Sequence, residues 1–597
     1  MKHLKSLNIY LWKYKWLLGL GILFITLSNL FGVYSPIIIK QAIDEITISA
    51  TSISHEAVTP ISKTFIQSFG LTLLYFAGMM LLLAILRGVF LFLMRQTIIV
   101  MSRKIEFDQK KELFDHYQKL DLNFYKMNST GDMMSRITED ISRVRMYTGP
   151  AIMYVINTSV LFVMVVFAMM KVNEELTFFS LLPLPLLAAS IFYVNSIIEK
   201  KSEAIQAQLS SLTTFSQESF SGIRVIKSYV QEKLFGKRFE AECDDYKLKQ
   251  LQLARVEAIY FPVIFMLVGL STLFTIFIGG SQVISGKISA GTIAEFVIYI
   301  NMLTWPIASV GWITAMMQRA GASQKRLNEF LSIAPSIISS NASQTDLKGE
   351  ISFQNVHFTF PHSGIKALTD VSFNIRPGQK VLILGKTGSG KTTIGQLILR
   401  LYDVNEGNIL IDRSNIKDLN LHSLRSQIGY VPQDVFLFSD KVKNNIQFGN
   451  KSYNENEIEE ASKLAAIYNE INELPEKFDT LIGERGVTLS GGQKQRVSIA
   501  RAFIKNPKLV VMDDCLSALD ANTEKTITDH LKNNLANRTA IIITHRIPQS
   551  IIFDQILVLE NGKIIEKGNH SLLISTESYY KGIWEKQLKE SVEQAID

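Results

Sequence analysis

The chain has 597 residues, too many for one hydrophobic core and enough for two or three domains. It is 47% hydrophobic and 20% charged with mean hydropathy +0.16, which excludes a disordered or collagen-like protein, and two cysteines (Cys243, Cys515) exclude a disulfide scaffold and suit a reducing compartment. The net charge of +7 invites a nucleic-acid reading, but residues 1–330 hold 32 Lys and Arg against 24 Asp and Glu, so the basic excess lies with the apolar runs.

The first segment, LKSLNIYLWKYK, interleaves Trp, Tyr and Lys, as an interfacial helix at a membrane surface does. Six stretches then pass the length of roughly 18 to 20 apolar residues that crosses a bilayer: about 16–39, 68–94, 150–170, 175–198, 256–281 and 291–318. The first is too long for a signal-peptide core and lacks a small-x-small cleavage site, so it reads as a retained span. The loops around 95–149 and 199–255 each carry ten Lys and Arg, whereas 41–67, 171–174 and 282–290 carry only Lys63, Lys171 and Lys287. The positive-inside rule therefore places the N-terminus, both long loops and everything after residue 319 in the cytoplasm. Long inner loops rich in helix formers imply that the second to fifth helices continue beyond the bilayer. Pro36, Pro183, Pro185, Pro262 and Pro306 lie in or beside spans, where kinks suit a transporter. Charged groups in the spans are few, and of these Arg87 and Glu295 sit near span ends and are expected to snorkel. A lining of Phe, Met, Leu and Ile would suit an apolar or amphipathic substrate.

After the sixth span the pattern is polar and helical to Leu331. Residues 332–349, rich in Ser, Asn and Pro, read as a linker, and strand-like alternation from Ile351 opens an α/β domain over 350–580, with a tail at 581–597. Its centre is VLILGKTGSGKTT. An apolar strand enters a phosphate-binding loop, Gly385, Lys386, Thr387, Gly388, Ser389, Gly390, Lys391 and Thr392, and a helix runs on from Thr393. Lys391 suits β- and γ-phosphates, and the Thr392 hydroxyl suits Mg²⁺. Further on, KLVVMDD (508–514) is an apolar strand ending in two carboxylates, of which Asp513 is placed to hold Mg²⁺.

Before that strand stands LSGGQKQR (489–496). The order GKTGSGKT, VPQD, LSGGQ, VVMDD, SALD and ITHR resembles the nucleotide-binding domain of ABC transporters, and the resemblance covers the full chain. FYKMNSTGDMMSRITED (124–140) is similar to the first coupling loop of exporters, and TLIGERGVTLSGGQ (480–493) to their segment before the signature. The implied fold is an all-α membrane domain of six long helices followed by an α/β P-loop ATPase domain. The implied layout is a bacterial half-transporter, multi-pass in the cytoplasmic membrane, that takes ATP and Mg²⁺, pairs with a second half-transporter and exports a hydrophobic or amphipathic substrate. No nucleic-acid partner is implied.

The resemblance carries roles to single residues. Phe360 matches the aromatic that stacks on adenine, usually Tyr. Gln433 matches the glutamine that touches Mg²⁺ or the attacking water. Ser490, Gly491, Gly492 and Gln493 match the signature that meets the γ-phosphate held by the other subunit. Asp520 closes the interface-crossing SALD turn, and His545 matches the switch histidine. Residues 123–131 and 231–239 are candidates for coupling contacts, with 480–486, including Glu484 and Arg485, as a partner.

One position departs from the pattern. The residue after the Asp513 equivalent is normally glutamate, which polarises water; here it is Asp514, shorter by about 1.5 Å of reach. Misplacement by about 1 Å can cost on the order of 10²-fold in rate, so hydrolysis here should be slow while ATP still binds. The signature is intact, which favours a heterodimer in which this chain carries the weak site; the rival is a homodimer with two slowed sites. An ATP-gated channel or regulator is a further alternative. A soluble ABC ATPase would lack the spans, and an importer would place them on another chain. No cysteine-protease segment precedes the first span, which argues against leader-peptide processing.

Overall fold

A computed structural model describes residues 2–55, 63–340, 346–448, 453–483, 489–516 and 519–593. The chain divides into two compact units, Met1–His116 with Gly131–Ile333, and Tyr117–Thr130 with Ala334–Asp597.

The first unit is helical. Among the described residues two short helices, Lys2–Leu7 and Asn8–Lys13, precede six helices long and apolar enough to cross a membrane: Lys15–Ile48, Gly70–Lys119, Thr130–Val172, Glu174–Ser221, Glu232–Ile284 and Ala290–Leu331. At 1.5 Å per residue a 50-residue helix is about 75 Å long, more than twice the hydrocarbon core, so the second and fifth extend well outside it. Prolines act where their missing N–H and fixed φ dictate. The third span widens to π-turns at Arg136–Asp140 and at Tyr147–Ala151, the latter around Pro150. The fourth breaks at Leu182 and restarts with Pro183 in its first turn.

Spans one, three, four, five and six share a core that includes Val33, Val165, Leu187, Leu267, Phe296 and Tyr299. The second span stands apart. Its most apolar window has no buried residue, and only its inner half (Met94, Ile98, Met101, Ile105) packs against Ile25 and Met153.

Glu295 does not snorkel. It is 1% exposed, and its carboxylate lies 3.5 Å from Lys40 of the first span. One turn away, Asp44 accepts bonds from the Gly291 N–H (2.9 Å) and the Ser289 hydroxyl (2.7 Å), tying the first span to the start of the sixth. The approach needs glycine: a Cβ on Gly291 would meet the Lys40 carbonyl at 2.5 Å. The second inner loop reverses through Gly222 and the short helix Ile223–Ser228. Residues 231–239, the second candidate for coupling contacts, form the cap and opening turns of the fifth span, with Phe235 and Phe239 stacked on Phe215 of the fourth.

Among the described residues the second unit holds two sheets built from ten strands: β1 (Ile351–Thr359), β2 (Lys366–Ile375), β3 (Lys380–Gly385), β4 (Glu406–Ile411), β5 (Ser414–Asn415), β6 (Ile428–Val431), β7 (Leu509–Asp513), β8 (Thr539–Ile543), β9 (Gln555–Glu560) and β10 (Lys563–Gly568). One sheet, ordered β2-β1-β4-β5, is antiparallel. The other, β10-β9-β3-β8-β7-β6, is parallel apart from its β10 edge. Its central strands are apolar apart from single residues at their ends, as strands covered on both faces must be. Residues 579–593 form a helix whose Tyr580, Ile583 and Trp584 pack on this unit's core.

A piece of the first inner loop belongs to this unit. The helix Leu122–Met127 is capped by Asp121, which accepts from the N–H groups of Phe124 and Ser336 (both 3.1 Å) and from the Ser336 hydroxyl, and Leu122 packs on the core of the nucleotide-binding half. Burial would raise the Asp121 carboxyl, but these bonds outweigh it and hold it below its ordinary value.

Candidate nucleotide site

Register explains why motifs far apart in sequence meet. Ile543 of β8 pairs with Ile383 of β3 on one side and with Asp513 of β7 on the other. Three parallel strands thus end level, and the segments beyond them project at the same edge: the glycine-rich loop, the Asp513–Asp514 pair, and Thr544–His545. There an open cavity of about 420 Å³ is lined by Phe360, Thr387 to Thr393, Gln433, Asp513, Asp514 and His545.

The loop needs its glycines. Gly385 and Gly390 adopt φ of 150° and 96°, and a Cβ on either would collide with a backbone carbonyl, that of Leu559 or of Ala367. Helix Lys391–Ile398 then presents its N-terminus to the cavity. Lys391 Nζ curls back onto the carbonyls of Gly385 (2.7 Å) and Lys386 (2.8 Å). Burial pulls its pKa down, and Asp514 and Asp513 offset part of that.

Asp513 is 1% exposed. One carboxylate oxygen accepts from the Thr392 hydroxyl at 3.1 Å, and the other is buried without a hydrogen-bond partner, as is Ser389 Oγ. Burial, with Asp514 and Asp434 nearby and against the help of Thr392 and Lys391, pushes the Asp513 carboxyl up to about 6. A buried carboxylate with an unpaired oxygen beside a hydroxyl, a lysine bonded within its own loop, and a ring of helix N–H groups fit a polyphosphate carrying a hard divalent cation.

Asp514 takes φ of 45°, and its N–H donates to the Ile543 carbonyl at 2.7 Å. Its Oδ1 lies 3.0 Å from His545 Nδ1 and 3.4 Å from the Thr544 hydroxyl. The shorter acid is thus engaged with His545 of its own chain.

Other expected residues lie elsewhere. The Lys386 side chain leaves the cavity and pairs with Glu560 at 3.2 Å. Ser490 caps helix Gly491–Phe503 in a reciprocal box with Gln493, and Asp520 caps Ala521–Asn534; none of Ser490, Gly491, Gly492, Gln493 or Asp520 lines this cavity. Ser517, Ala518, Glu484 and Arg485 lie outside the described residues.

The structure adds residues that sequence reasoning missed. Glu470 clamps Arg496 through two bonds (2.5 and 2.9 Å) and accepts from Gln493 (2.8 Å), fixing the signature helix. Burial works against the Glu470 charge, but these partners hold its carboxyl below its ordinary value. Phe360 is braced edge-on by Phe358 (4.9 Å) and Tyr402 (5.5 Å), with His362 beside it on the cavity wall. The alternation of Phe358 and Phe360 was a visible signal; Glu470 had none.

The ABC transporter transmembrane region family matches residues 18–307, and the ABC transporter family matches residues 368–517. The chain is 38% identical to "Probable multidrug resistance ABC transporter ATP-binding/permease protein YheI" of Bacillus subtilis, over 80% of this chain and 82% of the relative. It is 33% identical to "Multidrug resistance-like ATP-binding protein MdlA" of Escherichia coli, over 88% and 89%. It is also 33% identical to "ATP-dependent lipid A-core flippase" of Syntrophus aciditrophicus, over 82% and 81%. With six apolar helices in front of an α/β domain whose three strand ends frame a phosphate loop, the chain is a multi-pass membrane protein and belongs to the ABC transporter family, as an exporter-type half-transporter driven by ATP.

Proposed function

We propose that this chain is the weakly hydrolytic half of a dimeric ABC exporter, more suited to a heterodimer than to a homodimer, that moves a hydrophobic or amphipathic substrate out across a bacterial cytoplasmic membrane. The relatives' names, multidrug resistance and lipid flippase, support that substrate range. The basic loops support a cytoplasmic N-terminus and nucleotide domain.

In this reading Phe360 stacks on the base, and Thr387 to Thr393 with Lys391 hold the phosphates. Thr392, Asp513 and Gln433 would hold Mg²⁺, which when bound would neutralise charge on the transferred phosphoryl group. Signature residues Ser490 to Gln493 cap their own helix away from their own cavity, which supports their use on the partner's nucleotide. Closure of two nucleotide domains on ATP would pass through the Leu122–Met127 helix, which packs on this chain's nucleotide-binding core, and hydrolysis would reset the pair.

The observation that carries the weak-site reading is the 3.0 Å contact of Asp514 with His545. An acid one methylene short and held by its neighbour is a poor acceptor for a proton from water. The test is ATP turnover by this chain purified alone and with a second half-transporter bearing glutamate at the matching position. Slow turnover alone and fast turnover in the mixed dimer support the proposal; fast turnover by this chain alone sinks it.

A further inference from the structure

The membrane unit holds a second cavity, of about 300 Å³, between the first, second, third and sixth spans. Its lining includes Leu91, Met94, Met153, Leu161 and Met302, and to these the second span adds Arg87 and Arg95, while the other spans add the amides Asn29, Asn157 and Asn301 and the ring of Trp305.

Arg87, Leu91, Met94 and Arg95 follow i, i+4, i+7, i+8 spacing, so one helical face brings both cations to the cavity. Arg87 lies against the first span: a Cβ on Gly32 would sit 3.3 Å from its guanidinium carbon. Asn29 and Asn157 bond each other across the wall at 3.1 Å. No carboxylate lines the cavity, and among the described residues neither arginine forms an ion pair. Further along, Arg103 and Arg145 both have Glu106 as a partner.

An arginine inside a membrane domain is costly, and two about 12 Å apart along a helix with no acid nearby make an electropositive recess. Guanidinium forks match phosphate, sulfate and carboxylate oxygens in pairs, which lysine does not. Leu91, Met94, Met153 and Trp305 give the recess an apolar edge. We propose that this cavity receives the anionic headgroup of an amphiphile, so that the exported substrate is an acidic amphiphile whose headgroup Arg87 and Arg95 hold. The inference rests on the export reading above and narrows its substrate.

The test uses the full chain, purified as the dimer it forms and reconstituted in phosphatidylcholine nanodiscs without nucleotide. Binding of dodecyl phosphate, dodecyltrimethylammonium, dodecyl maltoside and inorganic phosphate is titrated by tryptophan fluorescence. Dodecyl phosphate should bind at least about tenfold more tightly than the other two tails, and R87Q and R95Q should each cost on the order of tenfold for dodecyl phosphate. Dodecyl maltoside should not respond to either change, and R87K R95K should restore part of the selectivity. Nucleotide binding on the same samples reports that each variant is folded. Equal affinity for the three headgroups, or dodecyl phosphate binding unchanged in R87Q R95Q, overturns the proposal. Inorganic phosphate binding as tightly as dodecyl phosphate overturns the amphiphile in favour of a free anion. Failure of the parent protein to bind ATP would instead overturn the export reading, so the two failures are separable.

Discussion

The two cavities in this chain are built in opposite ways. The one at the strand ends draws most of its chemistry from one contiguous loop, 387–393, and adds single residues from the ends of β7 and β8. The one among the spans is assembled from scattered side chains on four helices, none of them within a motif. The first sets a buried carboxylate and a lysine inside one site; the second holds two cations and no acid. A site that handles a fixed ligand uses backbone geometry and tolerates little change. A site lined by long side chains on separate helices can be altered one residue at a time.

The contrast is sharpest if each cavity is damaged separately. Lys391→Ala should lower nucleotide affinity on the order of 100-fold or more by calorimetry, since the loop loses its charged donor, while dodecyl phosphate binding in the membrane unit stays put. Loss of both together would break the distinction. Asp514→Glu should raise turnover by up to about 10²-fold in a phosphate-release assay by restoring reach to water, with nucleotide affinity nearly constant. An unchanged rate would mean that the His545 contact, not chain length, limits this site.

Asp513 supplies a pH signature that the arginine cavity lacks. Its carboxyl sits at about 6, so the nucleotide-free protein binds a proton between about pH 4 and pH 6 that the unfolded chain does not. Folding stability from this group therefore falls as pH rises through that window. Mg²⁺-dependent nucleotide affinity should drop about tenfold per unit below pH 6, because the protonated acid is no ligand. In D513N the nucleotide-free protein should unfold at higher temperature at pH 7.5, and the acid-side loss of affinity should vanish. Dodecyltrimethylammonium, whose own charge is fixed, should bind the membrane cavity with no change across the same range.

The smallest expected effect concerns scaffolding. Glu295→Gln leaves Lys40 facing a neutral amide in a packed site and should lower the melting temperature by a few degrees, and adding Lys40→Met should recover part of it. Neither change should alter binding in either cavity. A change in dodecyl phosphate affinity would join Glu295 to the substrate path.

Much of the nucleotide site was legible because its signals are local. Glycines at fixed offsets after an apolar strand state a loop, and two acids at the end of another mark the strand end that faces the same cavity. The Glu470 clamp was not legible, since a glutamate 26 residues from Arg496 has no distinguishing neighbourhood. Nor was the departure of Lys386, which shares its loop with true lining residues yet points to Glu560. In the membrane half, hydropathy and loop charge gave six helices, but not which faces turn inward. Arg87 and Glu295 looked alike as charges near span ends. One lies against Gly32 in an open recess, and the other is sealed beside Lys40.

By itself the sequence determined what short-range physics encodes: the number and length of apolar helices, the phosphate loop, the signature and the acid one methylene short. Tertiary structure alone decided what depends on register and packing. Level strand ends on both sides of Ile543 bring three motifs to one edge. The Asp121–Ser336 bonds assign residues 117–130 to the nucleotide-binding unit rather than to the helices that flank them. The turn of one helical face brings two arginines to a recess that hydropathy describes as apolar. Such contacts join residues hundreds of positions apart, and no local pattern in the chain specifies them.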